Sequence, residues 1–570
     1  MTTEQHDASR EPRVPEEALA ALFAECLQVP SVGPDDDFFV LGGYSLTATT
    51  LSARVRSALG VEVTTADIFR NPTVRSLRDA LGSGRERARL IRPADRGAPI
   101  PASFAQERLW ILDQFTGPSS LYNVAMVLRL DGPLDQAALR RALGDVLERH
   151  EALRTRVVLG EDGPVQEALP APREAPLHHT RVTAGTAVAA VREAADRSFC
   201  LATEIPFRAE LFAYDTRAGD SGTDDSGSYD DRADDGGAYV LLLLIHHIAV
   251  DGWSNNRLTR DIGLAYSARL AGRDVPWQPL PVQYADYAVW QRAQYAPDRL
   301  SPTALRQTEF WRSALAGAPE PLVMTTDRPR PPVPSGSGDH LPLVLGPALH
   351  RELQSTARRS GCTVFVLVHA ALALLLHLRG AGEDVVIGAT VAGRPDASLD
   401  ELVGLFVNTL VLRVDLSGAP TVDEVVRRAQ AVDLAAMEHQ DLPFDRVVEA
   451  VNPVRSAAYG PLVQVLLAFQ AGAVEPPEMT GLRAEAEILP LKVAKFDLTW
   501  ELTEAFDSDG GPAGVTGHLE YAEDLFDRDT ARAMVGDLGV ILRVITREPD
   551  RPIHDLPCGR TAFAGNSGDL

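Results

Sequence analysis

The chain has 570 residues, 45% hydrophobic and 24% charged, enough for about three globular units with sizeable cores. Lys+Arg 55 against Asp+Glu 79 leaves a formal charge of −24, which disfavours nucleic-acid phosphates and anionic membranes as partners. The four cysteines, Cys26, Cys200, Cys362 and Cys558, lie far apart with no CxxC pair, so neither a disulfide framework nor a zinc ribbon is expected and a reducing compartment suits them.

The N-terminal stretch MTTEQHDASREP is polar and does not read as a secretory leader, which makes a cytoplasmic location the default expectation. Pro15 can open a helix, and Leu19, Leu22, Phe23, Cys26 and Leu27 then follow helical spacing. After the loop SVGPDDDFFVLGGY a second helix is predicted from near Ser45. It carries Leu51, Val55 and Leu59 and stops at Gly60. Beyond DIFRNP a third helix carries Val74, Leu77 and Leu81, so the first part of the chain reads as a small all-α bundle. Residues 84–100, GRERARLIRPADRGAPI, are charged, contain Gly and Pro, have no period and read as a linker.

The rest mixes types. AMVLRL (125–130) predicts a strand, LDQAALRRALGDVLER (134–149) an amphipathic helix, and ALRTRVVL (152–159) a strand. LPLVLG (341–346), a helix over 347–358, a helix over 363–379, and the strands DVVIGATVAG (384–393) and TLVLRVDL (409–416) follow. The apolar run at 362–378 is shorter than the roughly 20 residues of a membrane span, and His369 and His377 interrupt it, so a buried helix is expected. Two α/β lobes are predicted, joined where AGRDVPWQPLP breaks the periodicity near 271–285. The Gly/Ser/Asp tract 215–237 reads as a solvated loop, and the last residues, TAFAGNSGDL, as a frayed end.

Two stretches are unusual. In DDFFVLGGYSL (36–46) the glycines suit a tight turn and Ser45 suits a helix cap, but a serine there is also a hydroxyl at the positive end of a helix, where a phosphodiester is favoured. In IHHIAVDGWS (245–254) a buried-strand run ends in His246 and His247, then Asp251 and Gly252. A metal site, a structural corner and a base held for proton chemistry are the alternatives. Neighbouring strand residues face opposite ways, which counts against both histidines serving one metal.

DDFFVLGGYSL followed by ADIFRNPTVRSL resembles the peptidyl carrier proteins of nonribosomal peptide synthetases over about residues 12–83. The resemblance implies 4′-phosphopantetheine on Ser45, attached by a phosphopantetheinyl transferase and loaded by an upstream adenylation domain. Tyr44 stands where the family often has His or Asp, and this argues against an epimerisation domain next in line. IHHIAVDGWS matches the HHxxxDG motif of the condensation domains of the same synthetases. SFAQERLWILDQF (103–115), RHEALRTRV (149–157), YADYAVW (284–290), VGLFVNTLVLR (403–413) and HQDLPFD (439–445) match their other motifs in order, whereas 452–469 departs from the pattern.

That resemblance implies a fold of two chloramphenicol-acetyltransferase-like lobes in a V: an N-terminal lobe over 101–272 and a C-terminal lobe over 273–557, after the carrier (12–83) and linker (84–100). It implies amide bond formation between a peptidyl thioester on the preceding carrier and an aminoacyl thioester on a downstream acceptor carrier. His247 is the expected catalytic residue, His246 packs the other way, and Asp251 fixes the loop through Arg394. Gly252 allows a close approach or a turn, and Trp253 forms wall. An L-configured or glycine donor terminus is expected. A recruitment module, an epimerase, a heterocyclisation domain and an ester-forming variant are the alternatives. The intact HHxxxDG motif speaks against the first, and the lack of further epimerase signatures or an aspartate-rich motif against the next two.

Overall fold

Leu19 and Phe23 stand one turn apart on the helix Glu16–Leu27 and are fully buried with Phe38, Leu51, Val55, Ile68, Val74 and Leu77, the core of the N-terminal bundle. The protein is seen in a computed structural model that describes residues 15–43, 45–81, 90–214, 237–296, 300–507 and 510–556. Tyr44, Cys558, all but the last residue of the acidic tract, and the C-terminal tail lie outside the described residues. The bundle's further helices are Ser45–Leu59, Thr65–Arg70 and Val74–Ala80. The six-residue helix Thr65–Arg70 covers most of DIFRNP, to which no element was assigned above, and a reciprocal capping box between Thr64 and Asp67 holds it. The turn before Ser45 needs both its glycines. Gly42 has φ +102°, and a Cβ on Gly43 would lie 2.3 Å from the Phe38 ring.

A five-stranded sheet forms the first lobe, in the order Arg483–Ile488, Asn123–Asp131, Ala238–His246, Phe207–Tyr214, Leu177–Val182. The predicted helix is present as Gln136–Arg149, and its Leu139, Leu143, Val146 and Leu147 are fully buried in the same core as the strand residues Leu241 and Leu243 and the helix residue Ile262. The second lobe has a six-stranded sheet, in the order Asn408–Asp415, Asp384–Val391, Val465–Ala471, Leu498–Phe506, Pro512–Ala522, Gly338–Leu345. Helices Pro347–Arg359, Val364–Leu376 and Arg528–Arg547 supply its core. The window Val364–Ala381 has a mean hydropathy of 1.9 and is 67% buried inside the protein, as suits a core helix.

The strand Arg483–Ile488 follows four strands of the second lobe's sheet in the chain, yet pairs antiparallel with Asn123–Asp131 in the first. A single cut at 272/273 therefore does not separate the strands of the two sheets. The approach to this strand is held on the helix Asn255–Leu270. Asn256 bonds Ala473 O and Glu475 N, the Ser267 hydroxyl accepts from Thr480 N, and a Cβ on Gly263 would lie 2.7 Å from Glu478 O.

The bundle packs on the second lobe. Ser57 Oγ donates to Asp396 Oδ1 (3.1 Å) and accepts from Ala397 N (3.0 Å). Gln440 Nε2 donates to Thr65 Oγ1 (2.9 Å), Arg56 lies 3.7 Å from Asp441, and Arg70 pairs with Glu438. The described part of the linker is pinned: Ile91 N donates to Asp396 Oδ2 (3.3 Å) and Ala94 N to Asp286 Oδ1 (2.9 Å).

Candidate active site

The strand Ala238–His246 ends at the first histidine, and His247 opens a one-turn 3-10 helix, His247–Ala249. His246 is 5% exposed, its Nδ1 accepts from Ile248 N (3.1 Å), and its ring lies beside Tyr122 and edge-on to Phe199. Burial pushes its pKa down to about 3. The His247 amide donates to Tyr122 O (2.7 Å). Its ring is half-buried, with Nδ1 enclosed and without a partner. Burial first, and then the Lys495 cation, lower the His247 pKa to about 4. Both imidazoles are therefore neutral at pH 7.

Asp251, 2% exposed, organises the turn that follows. It accepts from Ser254 N (2.9 Å), Ser254 Oγ (2.8 Å), Phe406 N (2.8 Å) and Val407 N (3.1 Å). The Arg394 guanidinium is farther off, at 3.4 Å. Arg394 also donates to Leu399 O and Ser254 Oγ, lies 4.1 Å over the Phe406 ring, and has its pKa lowered by burial to about 10, so it stays charged. The carboxylate is thus held mainly by amides and a hydroxyl, with the arginine as counter-charge. A Cβ on Gly252 would come within 2.5 Å of the Gln470 amide, so this glycine serves proximity between the lobes.

The distant stretches singled out in the sequence converge here. Gln106 Nε2 donates to Ile248 O (3.4 Å), and Val403 N donates to His150 Nδ1 (3.4 Å). Tyr284 OH donates to Leu405 O (2.7 Å), Asn408 Nδ2 bonds Gln440 O and Leu442 O, and Arg108 pairs with Asp445 at 3.4 Å. Lys495 was not foreseen: it lies after the crossing strand, 248 residues from His247, and spacing carries no signal for it.

A cavity of about 210 Å³ opens between the lobes beside the motif, lined by Gly252, Trp253, Arg257, Arg394 and Gln470, and by Thr50 of the bundle. It meets the motif at Gly252 and Trp253 rather than at the His247 ring. Ser45 is the first residue of its helix. The Gly42–Gly43 turn ahead of it, and buried arginine nitrogens without partners at the cavity, suit a phosphate-linked arm.

Comparison with known proteins agrees with this architecture. The family model described as condensation domain matches residues 98–219 and 233–562, and that described as phosphopantetheine attachment site matches 17–81. The chain is 44% identical over 549 residues to a probable non-canonical nonribosomal peptide synthetase, CymA, of Salinispora arenicola, covering 96% of this chain and 7% of that protein. It is 43% identical over 553 residues to a dimodular nonribosomal peptide synthase of Bacillus subtilis, covering 96% of this chain and 22% of that protein. Among solved structures, the X-domain in its complex with OxyB from teicoplanin biosynthesis matches with a TM-score of 0.72 and 33% identity, covering 82% of this chain and 98% of that one. This chain, a 4′-phosphopantetheine attachment domain followed by a two-lobed α/β condensation domain, therefore belongs to the condensation-domain family of nonribosomal peptide synthetases, enzymes of peptide-bond formation.

Proposed function

We propose that the bundle is the donor carrier of this condensation domain. In this reading Ser45 bears the arm and a peptidyl or acyl thioester, and the domain joins that acyl group to the α-amine of an aminoacyl thioester on a downstream carrier. The observation that carries the proposal is the cavity wall that Thr50, on the helix opening at Ser45, shares with Gly252 and Trp253 of the motif. The partners that follow are a phosphopantetheinyl transferase, an upstream adenylation domain and the acceptor carrier.

The thioester is already electrophilic, so what the site must supply is a neutral amine in line with the carbonyl and a path for its proton. An imidazole held at about 4 is a weak base. His247 then acts chiefly by accepting a hydrogen bond from the amine and aligning it; as the C–N bond forms the thioester C–S bond breaks, and the proton lost by the amine ends on the departing thiolate of the donor arm. Asp251, Ser254 and Arg394 hold the turn without touching substrate. An L-configured or glycine donor terminus belongs to the same reading; efficient use of a D-terminal donor with rejection of the L form would overturn that part. A second reading, a docking module for a partner protein, is favoured by the 33% identity to the X-domain seen bound to OxyB.

One experiment separates the readings. With a defined aminoacyl acceptor carrier, wild type should extend the acceptor by the donor mass. Ser45→Ala should fail to load, and His247→Ala should load fully but lose about 100-fold or more in transfer. Wild-type-like transfer by the His247 variant would sink its role, and loading without any wild-type transfer would favour docking.

A further inference from the structure

The cavity beside the motif contains a cation with an unused donor and no ion pair. Arg257, on the first turn of Asn255–Leu270, donates through Nη1 to Trp253 O, and its Nε is buried with no partner. Among the described residues no carboxylate lies within ion-pair distance of it. Asp400 shares the cavity wall and feels the Arg257 charge beyond ion-pair distance, while burial raises its pKa, so it offsets this cation only in part and leaves its Nε without an acceptor. Arg394 on the same wall is 6% exposed, with its own Nε unpartnered, while its charge is matched by Asp251. A part-buried guanidinium with an enclosed, unused Nε donor carries a desolvation cost unless an anion arrives to use it.

The bundle supplies the direction from which an anion can come. Thr50 lines the cavity and is five residues along its helix from Ser45, about 7.5 Å of axial rise. A phosphodiester on Ser45 is bonded to the serine oxygen itself, so its charge stays at that end of the helix. Guanidinium groups suit phosphate oxygens because their donors are planar and forked.

We propose that Arg257, backed by Arg394, anchors the phosphodiester of the arm on Ser45 and so fixes how far the donor thioester reaches between the lobes. This rests on the donor reading above. Arg257 is a positioning residue: it holds the fixed end of the arm and takes no part in bond making.

The test uses the full chain, as wild type, Arg257→Ala and Arg257→Lys, all checked for complete loading by intact mass. In the loaded protein the ³¹P resonance of the phosphodiester should differ between wild type and Arg257→Ala, with the lysine variant in between. In transfer assays with soluble donors on the chain carrying Ser45→Ala, two thioesters of the same acyl group are compared, one of phosphopantetheine and one of N-acetylcysteamine, which has no phosphate. Arg257→Ala should lower kcat/KM for the phosphate-bearing donor about tenfold more than for the phosphate-free one, mostly through KM. Equal losses on both donors, or superimposable ³¹P spectra, would overturn the anchor. If wild type transfers nothing, the donor reading fails while the ³¹P comparison still decides the anchor.

Discussion

His246 and His247 adjoin in sequence but live in different surroundings. The first is sealed among Tyr122, Phe199 and the Ile248 amide, and the second is half-buried near Lys495 and Arg108. The alternation of strand side chains predicts their divergence. What it could not predict is the depth of the pKa depression, which depends on burial and on a lysine far along the chain. The depression has a sign. An unfolded histidine titrates near 6.5, whereas native His246 binds its proton only near 3. Native protein therefore binds fewer protons between these values, so this stability is present above pH 6.5 and is lost as pH falls toward 3. For His246 the loss at pH 5 is about 2 kcal/mol. Urea unfolding at pH 7.5 and pH 5 should show that loss, and His246→Asn, which keeps an acceptor for Ile248 N but cannot titrate there, should flatten it. An unchanged slope in the variant would refute the attribution.

Among the elements, those that bury one face were legible. The helices Gln136–Arg149 and Pro347–Arg359 and the strands Asn123–Asp131 and Asn408–Asp415 follow apolar periodicity to within a residue or two. The strand Arg483–Ile488, RAEAEI, was not. It lies at the edge of its sheet and Glu487 pairs with Arg129; its R-A-E-A-E-I alternation is a strand period, but alanine and glutamate are poor strand formers that mask it, and nothing in it marks its lobe. Thr65–Arg70 was too short to show a period, although its Thr64/Asp67 capping pair was visible. The loop 392–399 joins more parts than its length suggests, because Arg394 reaches the motif and Asp396 the bundle and linker. Its entry depends on Gly393, with φ +61° and a Cβ position only 1.8 Å from Phe406 O. Gly393→Ala should cost about 2–4 kcal/mol, from left-handed strain plus overlap. Gly272 has φ +64° with open space around its Cβ position, so Gly272→Ala should cost only about 1–2 kcal/mol. Equal denaturation midpoints for the two variants would contradict the contact at Phe406.

At the scale of the whole molecule, the sequence yielded a bundle, a linker and two lobes. It could not yield the seat of the bundle, because surface pairs such as Arg70–Glu438 have no periodicity and come from segments hundreds of residues apart. Those contacts are few and polar. Exposed pairs such as Arg70–Glu438 contribute little and are screened by salt, whereas Gln440–Thr65 and Arg56–Asp441 are largely enclosed, so a carrier that is loaded at one site and emptied at another would have to give up both kinds on leaving. Tethering makes the return intramolecular, since the linker holds the arm at high effective concentration. The most direct measurement is single-turnover transfer from Ser45-loaded chain to an acceptor carrier held in saturating excess, with the chain varied over a hundredfold range. The account predicts one first-order rate constant at every chain concentration, unaffected by added unloaded chain carrying His247→Ala. A rate constant that rises in proportion to chain concentration, or transfer diverted by the unloaded chain, would show that this carrier does not feed its own condensation domain.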